Sequence, residues 1–370
     1  MRFFMLRLLT IIGIIVMLFS CSKEEFPGFS EEVQKKFEDA LDKAMMENHI
    51  PGVVVGVWVG DEGWVKAKGT ANLATNEPMS EENHFRIGSV TKTFTGTVVL
   101  QLVDSGLISL DQTLEHYLPE YPFPQAGRIT VRHLGSMRSG IFNYSDDSAF
   151  FANAKACNWD FTATPDYVVR IGLDHPLLFN PGEGYLYSNT NTVLLGLICE
   201  KVTGKPFGQL MSEMILTPNG LDDTFWPETR FLPEPFSHGY TRQTSDGQMK
   251  DATFFNPSWV GAAGMMVSNI HDLKKWIRLV GTGALNSAAM QAERMNIQDN
   301  YGFGIQGADG WIFHFGAIQG FTTAAFYHSG MDATFVIHVN SNIDNPFTGN
   351  SPAEAVGQVF MELVTESFGQ

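Results

Sequence analysis

Ser89 and Lys92, three residues apart, are the first pair in this sequence whose types and spacing could do chemistry. On a helix, residues i and i+3 share a face, so the hydroxyl and the amine meet. A lysine withdrawn from water gives up its proton more readily and can take one from the hydroxyl, which makes Ser89 a nucleophile. If Ser89 begins the helix, its backbone N–H sits at the positive end of the dipole, where a developing oxyanion is stabilised. The spacing alone does not single out a nucleophile. Ser20 and Lys23 share it, and a serine at such a place also serves as a plain helix cap.

Two further groups can complete such a site. Of nine tyrosines only Tyr187 has an asparagine two residues on, Asn189. A loop-borne phenol can relay a proton between nucleophile and leaving group, and an amide can orient a substrate carbonyl or the lysine. The same residues also read as a turn ending in a Ser or Asn cap. His314-Phe315-Gly316 is the third group. A hydrogen-bonding or cationic residue on an edge strand, followed by glycine, lets a substrate backbone come close and pair with the strand. His328-Ser329-Gly330 has the same pattern but reads as a hairpin turn. No serine lies in G-x-S-x-G and no H-E-x-x-H occurs, so an α/β-hydrolase elbow and a zinc protease lack their anchors.

Taken in order, Ser89/Lys92, Tyr187/Asn189 and His314/Gly316 resemble the S-x-x-K, Y-x-N and H-x-G motifs of the penicillin-recognising serine hydrolases, specifically the class C β-lactamase and D-Ala-D-Ala carboxypeptidase family. The stretches Ile129 to Leu134, Ser139-Gly140-Ile141 and Asn256 to Met265 match as well, and the likeness runs over about residues 30–345. The resemblance implies that Ser89 is acylated and that Lys92 and Tyr187 share general-base and general-acid duty. It leaves open which of the two takes the first proton. It also implies that Asn189 binds the acyl amide, that the N–H groups of Ser89 and Ala317 form an oxyanion hole, and that His314 stands where other members place a lysine. No cofactor or metal is implied.

The substrates implied are peptide, ester or β-lactam carbonyls, with a cell-wall type D-amino-acid carboxypeptidase expected first. A carboxylesterase, a β-lactamase or a non-catalytic binder of cell-wall fragments are the alternatives. Family carboxypeptidases carry a threonine after the histidine and a hydroxyl or arginine nearby to hold a terminal carboxylate. Here Phe315, Ala317 and neutral Gln306 occupy those places. A site without such donors discriminates poorly in favour of a carboxylate.

The elements that must position these groups can be read from periodicity. Ser30 can cap a helix with Glu31 and Glu32 in its first turn and Phe37, Leu41, Ala44 and Met45 on one face. Val53 to Val59 and Trp64 to Lys68 read as two strands around the turn Gly60 to Gly63. The segment after Ser89 is rich in Val and Thr, a poor intrinsic helix. We nevertheless read it as helical, with Gly106 near its C-terminal cap. Short helices are expected over Pro165 to Leu173, Thr190 to Val202 and Phe207 to Ile215. Late strands are expected at Trp311 to His314, Phe321 to Tyr327 and Thr334 to Val339, before a final helix from Pro352 to about Phe368. The expected fold is α/β: an antiparallel sheet flanked by helices, from about 30–99 and 256–370, with a mainly helical insertion over about 100–255.

The chain of 370 residues is 44 % apolar, enough for a large core, and its 29 Phe and 7 Trp exclude a disordered protein. Formal charge is −16, which disfavours nucleic acid as a partner. Arg2 and Arg7 precede a dozen apolar residues, the layout of an export signal over 1–20 and too short for a spanning helix of roughly 20 apolar residues. Leu18-Phe19-Ser20-Cys21 resembles a bacterial lipobox, which implies cleavage before Cys21, a lipid on its thiol and a tether over 21–29 that ties a domain at 30–370 to the bacterial envelope. Loss of Arg2 and Arg7 leaves 22 basic against 40 acidic groups, a charge of −18. Cys199 ends an apolar stretch and reads as a buried small hydrophobe, with a disulfide to Cys157 left open.

Overall fold

The computed structural model describes residues 26–155 and 161–369. The expected export signal, Cys21 and Cys157 lie outside the described residues. Helix α1 (Glu31–Glu47) starts where the caps predict. Ser30 Oγ accepts from Val33 N–H, and Phe37, Leu41 and Ala44 are buried. Strands β1 (Gly52–Val59), β2 (Glu62–Asn72) and β3 (Glu77–Pro78) follow. Helices α2 (Thr91–Asp104), α3 (Asn189–Thr203) and α4 (Ile270–Thr282) carry the chain to β4 (Gln306–Ala308), β5 (Trp311–Ile318), β6 (Phe321–His328) and β7 (Ala333–Val339). Helix α5 (Pro352–Phe368) closes it, with a Ser351/Glu354 capping box.

The seven strands form one sheet in the order β3-β2-β1-β7-β6-β5-β4. Every pairing is antiparallel, and β1 meets β7 from Val53↔Val339 to Val59↔Ala333. The two ends of the chain therefore close the middle of the sheet. Alternation then sorts the side chains of β1 onto two cores. Val53, Val55 and Val57 join Phe37, Leu41 and Phe360 beneath α1 and α5. Val54 and Trp58 join the larger core on the other face, with α2, α3 and α4. Between residues 105 and 255 the only described strands are the two-residue pair Tyr240–Thr241 and Lys250–Asp251. The α/β sheet with a mainly helical region is thus the observed architecture.

Two local readings change. Ser89 does not open α2 but lies in a 3-10 turn, Gly88–Val90, one step before it. The expected helix over Phe207 to Ile215 ends as an α-helix at Leu210 and widens into a π-type stretch, Met211–Leu216. Cys199 is buried, as its apolar stretch suggested.

Helix α2 overrides its own propensity because it is buried on nearly every side. Its threonines satisfy themselves locally or against a neighbour: Thr93 and Thr97 donate to Val90 O and Thr93 O, and Thr95 donates to Ala262 O. Gly106, at φ +76, ends the segment as expected. Phe94 stacks on Trp276 of α4 with ring centroids 3.8 Å apart, and the indole N–H donates to Thr93 Oγ1 at 2.7 Å. Truncating Phe94→Ala should cost about 3–5 kcal/mol, the range for deleting a buried ring. A denaturant midpoint unchanged by this substitution would contradict the packing described.

Candidate active site

Lys92 sits on the first turn of α2 and is almost fully buried, at 1 % exposure. Its Nζ lies 3.0 Å from Ser89 Oγ, 2.7 Å from Asn189 Oδ1 and 2.7 Å from Ala263 O. Burial holds its pKa well below the usual lysine range, which favours the neutral amine. A neutral amine has two hydrogens and one lone pair. The two carbonyl oxygens can only accept, so they take the hydrogens, and the lone pair is left for the Ser89 hydroxyl.

Each partner is itself held. Asn189, first residue of α3, donates Nδ2–H to Ser145 Oγ at 3.1 Å, and its backbone N–H donates to Asn143 Oδ1 at 2.9 Å. Ala263 lies in the 3-10 turn Gly261–Ala263, which Thr95 ties to α2 through Ala262 O. The Tyr187 phenol is hydrogen-bonded to Ser89, and burial pushes its pKa up, so it keeps its proton. The lysine Nζ lies 4.9 Å from the centroid of the Tyr187 ring.

The oxyanion side is built by close backbone contact between Gly88-Ser89 and β5. A Cβ on Gly88 would stand 2.7 Å from Ala317 N, and one on Gly316 would stand 2.0 Å from Ile87 O and 3.1 Å from Ser89 N. Gly316 is therefore required by the protein's own turn. Strand parity fixes where Ala317 N–H points. Phe315 N–H donates away from β6, to Gln306 Oε1 at 3.1 Å, so two residues on Ala317 N–H faces the same edge, toward Ser89.

His314 is 1 % exposed and lies behind Tyr187, ring centroids 6.3 Å apart. Its Nδ1 is 2.6 Å from Phe315 O, which can only accept, so Nδ1 carries the proton. Nε2 then accepts from Tyr301 O–H at 3.2 Å. Burial, with Lys92 nearby, pushes the imidazole pKa down to about 3. His314 is thus a neutral support for the tyrosine pair, with both nitrogens engaged within the protein. The Phe315 ring turns to the opposite face of the sheet, against Phe313 and Phe326.

The cleft at Ser89 has a volume of about 600 Å³. Asn189, Ala317, Asp146, Trp259 and Gln319 are among its walls. Asp146 brings a carboxylate, whereas no Lys, Arg or His is among its described lining residues. Among the described residues no group of His, Cys, Asp or Glu is arranged to hold a metal ion. The structure thus gathers Ser89, Lys92, Tyr187, Asn189, Gly316 and Ala317 around one point and sets His314 one layer back. Motif reading missed Ala263 O, Tyr301 and the pair Asn143 and Ser145. The first is a main-chain acceptor inside the Asn256 to Met265 stretch, and nothing in its residue type reveals it.

A beta-lactamase family model matches residues 37–357, and the chain belongs to that family. It is 29 % identical over 210 residues to penicillin-binding protein 4* of Bacillus subtilis, covering 55 % of this chain and 44 % of that protein. It spans 64 % of another curated relative, protein flp of Staphylococcus aureus, at 23 % identity. Among solved structures it superposes on a D-stereospecific amidohydrolase from Streptomyces with a TM-score of 0.79 and 30 % identity, over 91 % of this chain and 99 % of that one. The D-amino acid amidase of Ochrobactrum anthropi gives a TM-score of 0.78 at 25 % identity, with the same coverage.

Replacing Lys92 by Met should slow Ser89 acylation by about 10²–10⁴-fold, the usual share of a general base. In the native protein, acylation should fall as acid protonates the amine. Because the lysine pKa is lowered, the active plateau should reach well below the ordinary lysine range. Pre-steady-state burst rates with an activated ester across pH measure both. Gly316→Ala should abolish the burst and lower the thermal midpoint, since the clash at Ile87 O is with backbone. A full burst in Gly316→Ala would contradict the packing of the turn.

Proposed function

We propose that this protein is an acyl-enzyme amidohydrolase acting on small D-amino-acid amides or peptides. The disposition of Lys92 carries the mechanistic part: a desolvated amine with both hydrogens engaged by carbonyl oxygens and its lone pair toward Ser89. Ser89 Oγ attacks the substrate carbonyl carbon and its proton passes to Lys92. The oxyanion sits between the N–H groups of Ser89 and Ala317. As the C–N bond breaks, the leaving nitrogen takes the Tyr187 proton, and Lys92 restores that proton to the phenol. Water then attacks the ester, giving a proton to the same base, and Ser89 leaves as the free hydroxyl. Raised Tyr187 and lowered Lys92 pKa values support the lysine as first proton acceptor in this reading.

Two features support amine-bearing over carboxylate-bearing substrates. Asp146 lines the cleft, and Gln319, at 4 % exposure, has an Oε1 without a protein partner there. Both accept hydrogen bonds and suit an ammonium or amide N–H, whereas a terminal carboxylate meets no described cation among the lining residues. The superposed D-stereospecific amidohydrolase and D-amino acid amidase agree with that preference. We also infer that the chain is exported and lipid-anchored through Cys21. A mature mass beginning at a diacylated Cys21, lost in Cys21→Ser, is the expected result.

The deciding experiment is a panel of D-alaninamide, a D-Ala-D-Ala peptide, p-nitrophenyl acetate and a cephalosporin, each with Ser89→Ala as control. Ser89-dependent turnover is expected with the amide and the ester, and the D-Ala-D-Ala peptide should be at least tenfold poorer in kcat/KM. Absence of any Ser89 adduct by intact mass would favour a non-catalytic binder. A preference for the D-Ala-D-Ala peptide would return the reading to a carboxypeptidase.

A further inference from the structure

The edge of β5 is not equally open on the two sides of Ser89. Strand β4 pairs only with Trp311 to Phe313, at Gln306↔Phe313, Gly307↔Ile312 and Ala308↔Trp311. Beyond Phe313 the edge has no strand partner, and it would be a ready template for an extended peptide. At Phe315, however, the protein fills that edge itself. Gln306 reaches past its own pairing partner, and its Oε1 accepts Phe315 N–H at 3.1 Å. Phe315 O is taken by His314 Nδ1 at 2.6 Å. Two residues on, Ala317 N–H faces the cleft beside Ser89 N–H, where Asn189, Asp146 and Gln319 form the walls.

The proton donor tells which side receives the leaving group. Tyr187 packs against Tyr301 and His314, with ring centroids 6.0 Å and 6.3 Å apart. These lie on the Phe315 side of Gly316. The leaving nitrogen must be within hydrogen-bond reach of the Tyr187 phenol, so whatever is attached to it extends toward Phe315. A peptide leaving group there would seek the main-chain N–H and C=O of Phe315, and both are occupied. Leaving them unmatched costs the substrate its own desolvated amide groups.

We propose that Gln306 is a specificity-determining residue that caps the leaving-group half of the β5 edge, so that the enzyme selects small leaving groups, ammonia above all, over amino-acid and peptide leaving groups. This rests on the acyl-enzyme reading above and adds the class of bond cleaved: primary amides of small acids. Gln306 touches no reacting atom. It acts by holding one backbone donor out of use.

The test holds the acyl group constant as D-alanyl and varies the leaving group: ammonia, methylamine and glycinamide. In the native protein kcat/KM should fall at least tenfold from the primary amide to the glycinamide adduct. Gln306→Ala frees Phe315 N–H and should narrow that ratio at least threefold. Gln306→Glu keeps an acceptor at the same reach and should restore the native ratio, which a general loss of structure would not do. A flat ratio in the native protein, or a ratio unmoved by Gln306→Ala, overturns the proposal. Turnover of p-nitrophenyl acetate by the native protein, lost in Ser89→Ala, separates the two readings. If it is present while the ratio is flat, only the role of Gln306 falls. If it is absent, the acyl-enzyme reading and this proposal fall together.

Discussion

A lysine amine buried between two carbonyl oxygens and one hydroxyl is the constraint on which the remainder of the structure depends. Taking an amine out of water is costly unless its hydrogens are matched. Here the matching atoms come from Asn189, 97 residues on, and Ala263, 171 residues on. The helical region and the segment leading into α4 must therefore dock on α2 before the amine is satisfied. The same docking removes the water that would otherwise keep the lysine protonated. Stability and reactivity at this point are one arrangement: the contacts that make burial tolerable also leave the lone pair aimed at Ser89.

The sheet serves that point from the other side. Closure of β1 on β7 fixes the middle of the sheet, and pairing through β6 carries the register to β5. Gly316 then has to accept Ile87 and Ser89 at backbone distance. Any side chain there would push the Ser89 and Ala317 N–H groups apart. The strained position is Gly88, at φ +50, where the turn leaves its strand-like approach and bends into α2. Only glycine takes that angle freely, and a Cβ there would also strike Ala317.

Much of the scaffold was legible in the residues because burial leaves a periodic trace. Pro165 to Leu173 and Pro352 to Phe368 show it and coincide with observed helices, whereas Val53 to Val59 reads as a strand from a continuous apolar run buried on both faces. Helix α2 was legible only against its propensity. What makes it helical is burial plus threonine hydroxyls that bond backward to carbonyls, which residue type alone does not disclose. Within the site, Ser89 and Lys92 are common types at a common spacing, and their meaning came from the ordered company of Tyr187, Asn189 and His314. The role of His314 was less legible. A histidine in the place of a lysine invites a cationic reading, yet burial and two internal partners keep it neutral. Main-chain acceptors such as Ala263 O leave no trace in a sequence, because every residue has one.

The direction of specificity we propose follows from where charge lies around Ser89. A site that holds a substrate carboxylate must supply cationic or hydroxyl donors on the leaving-group side of the nucleophile. At those places this chain has a phenylalanine turned to the far face of the sheet, a neutral glutamine whose carbonyl accepts from the backbone, and an imidazole that burial keeps neutral. None of the three supplies the positive charge or hydroxyl that would hold a carboxylate. On the opposite side, Asp146 and the Gln319 carbonyl add acceptors. In the proposed mechanism acylation depends on Ser89, Lys92 and the two N–H groups, and selection depends on what lies beyond them, so a catalytic centre can stay the same while its flanks differ. The charge pattern thus separates the chemistry common to the family from the choice of bond. On the reading we propose, that choice is an acyl group bearing nitrogen and a leaving group bearing no acid.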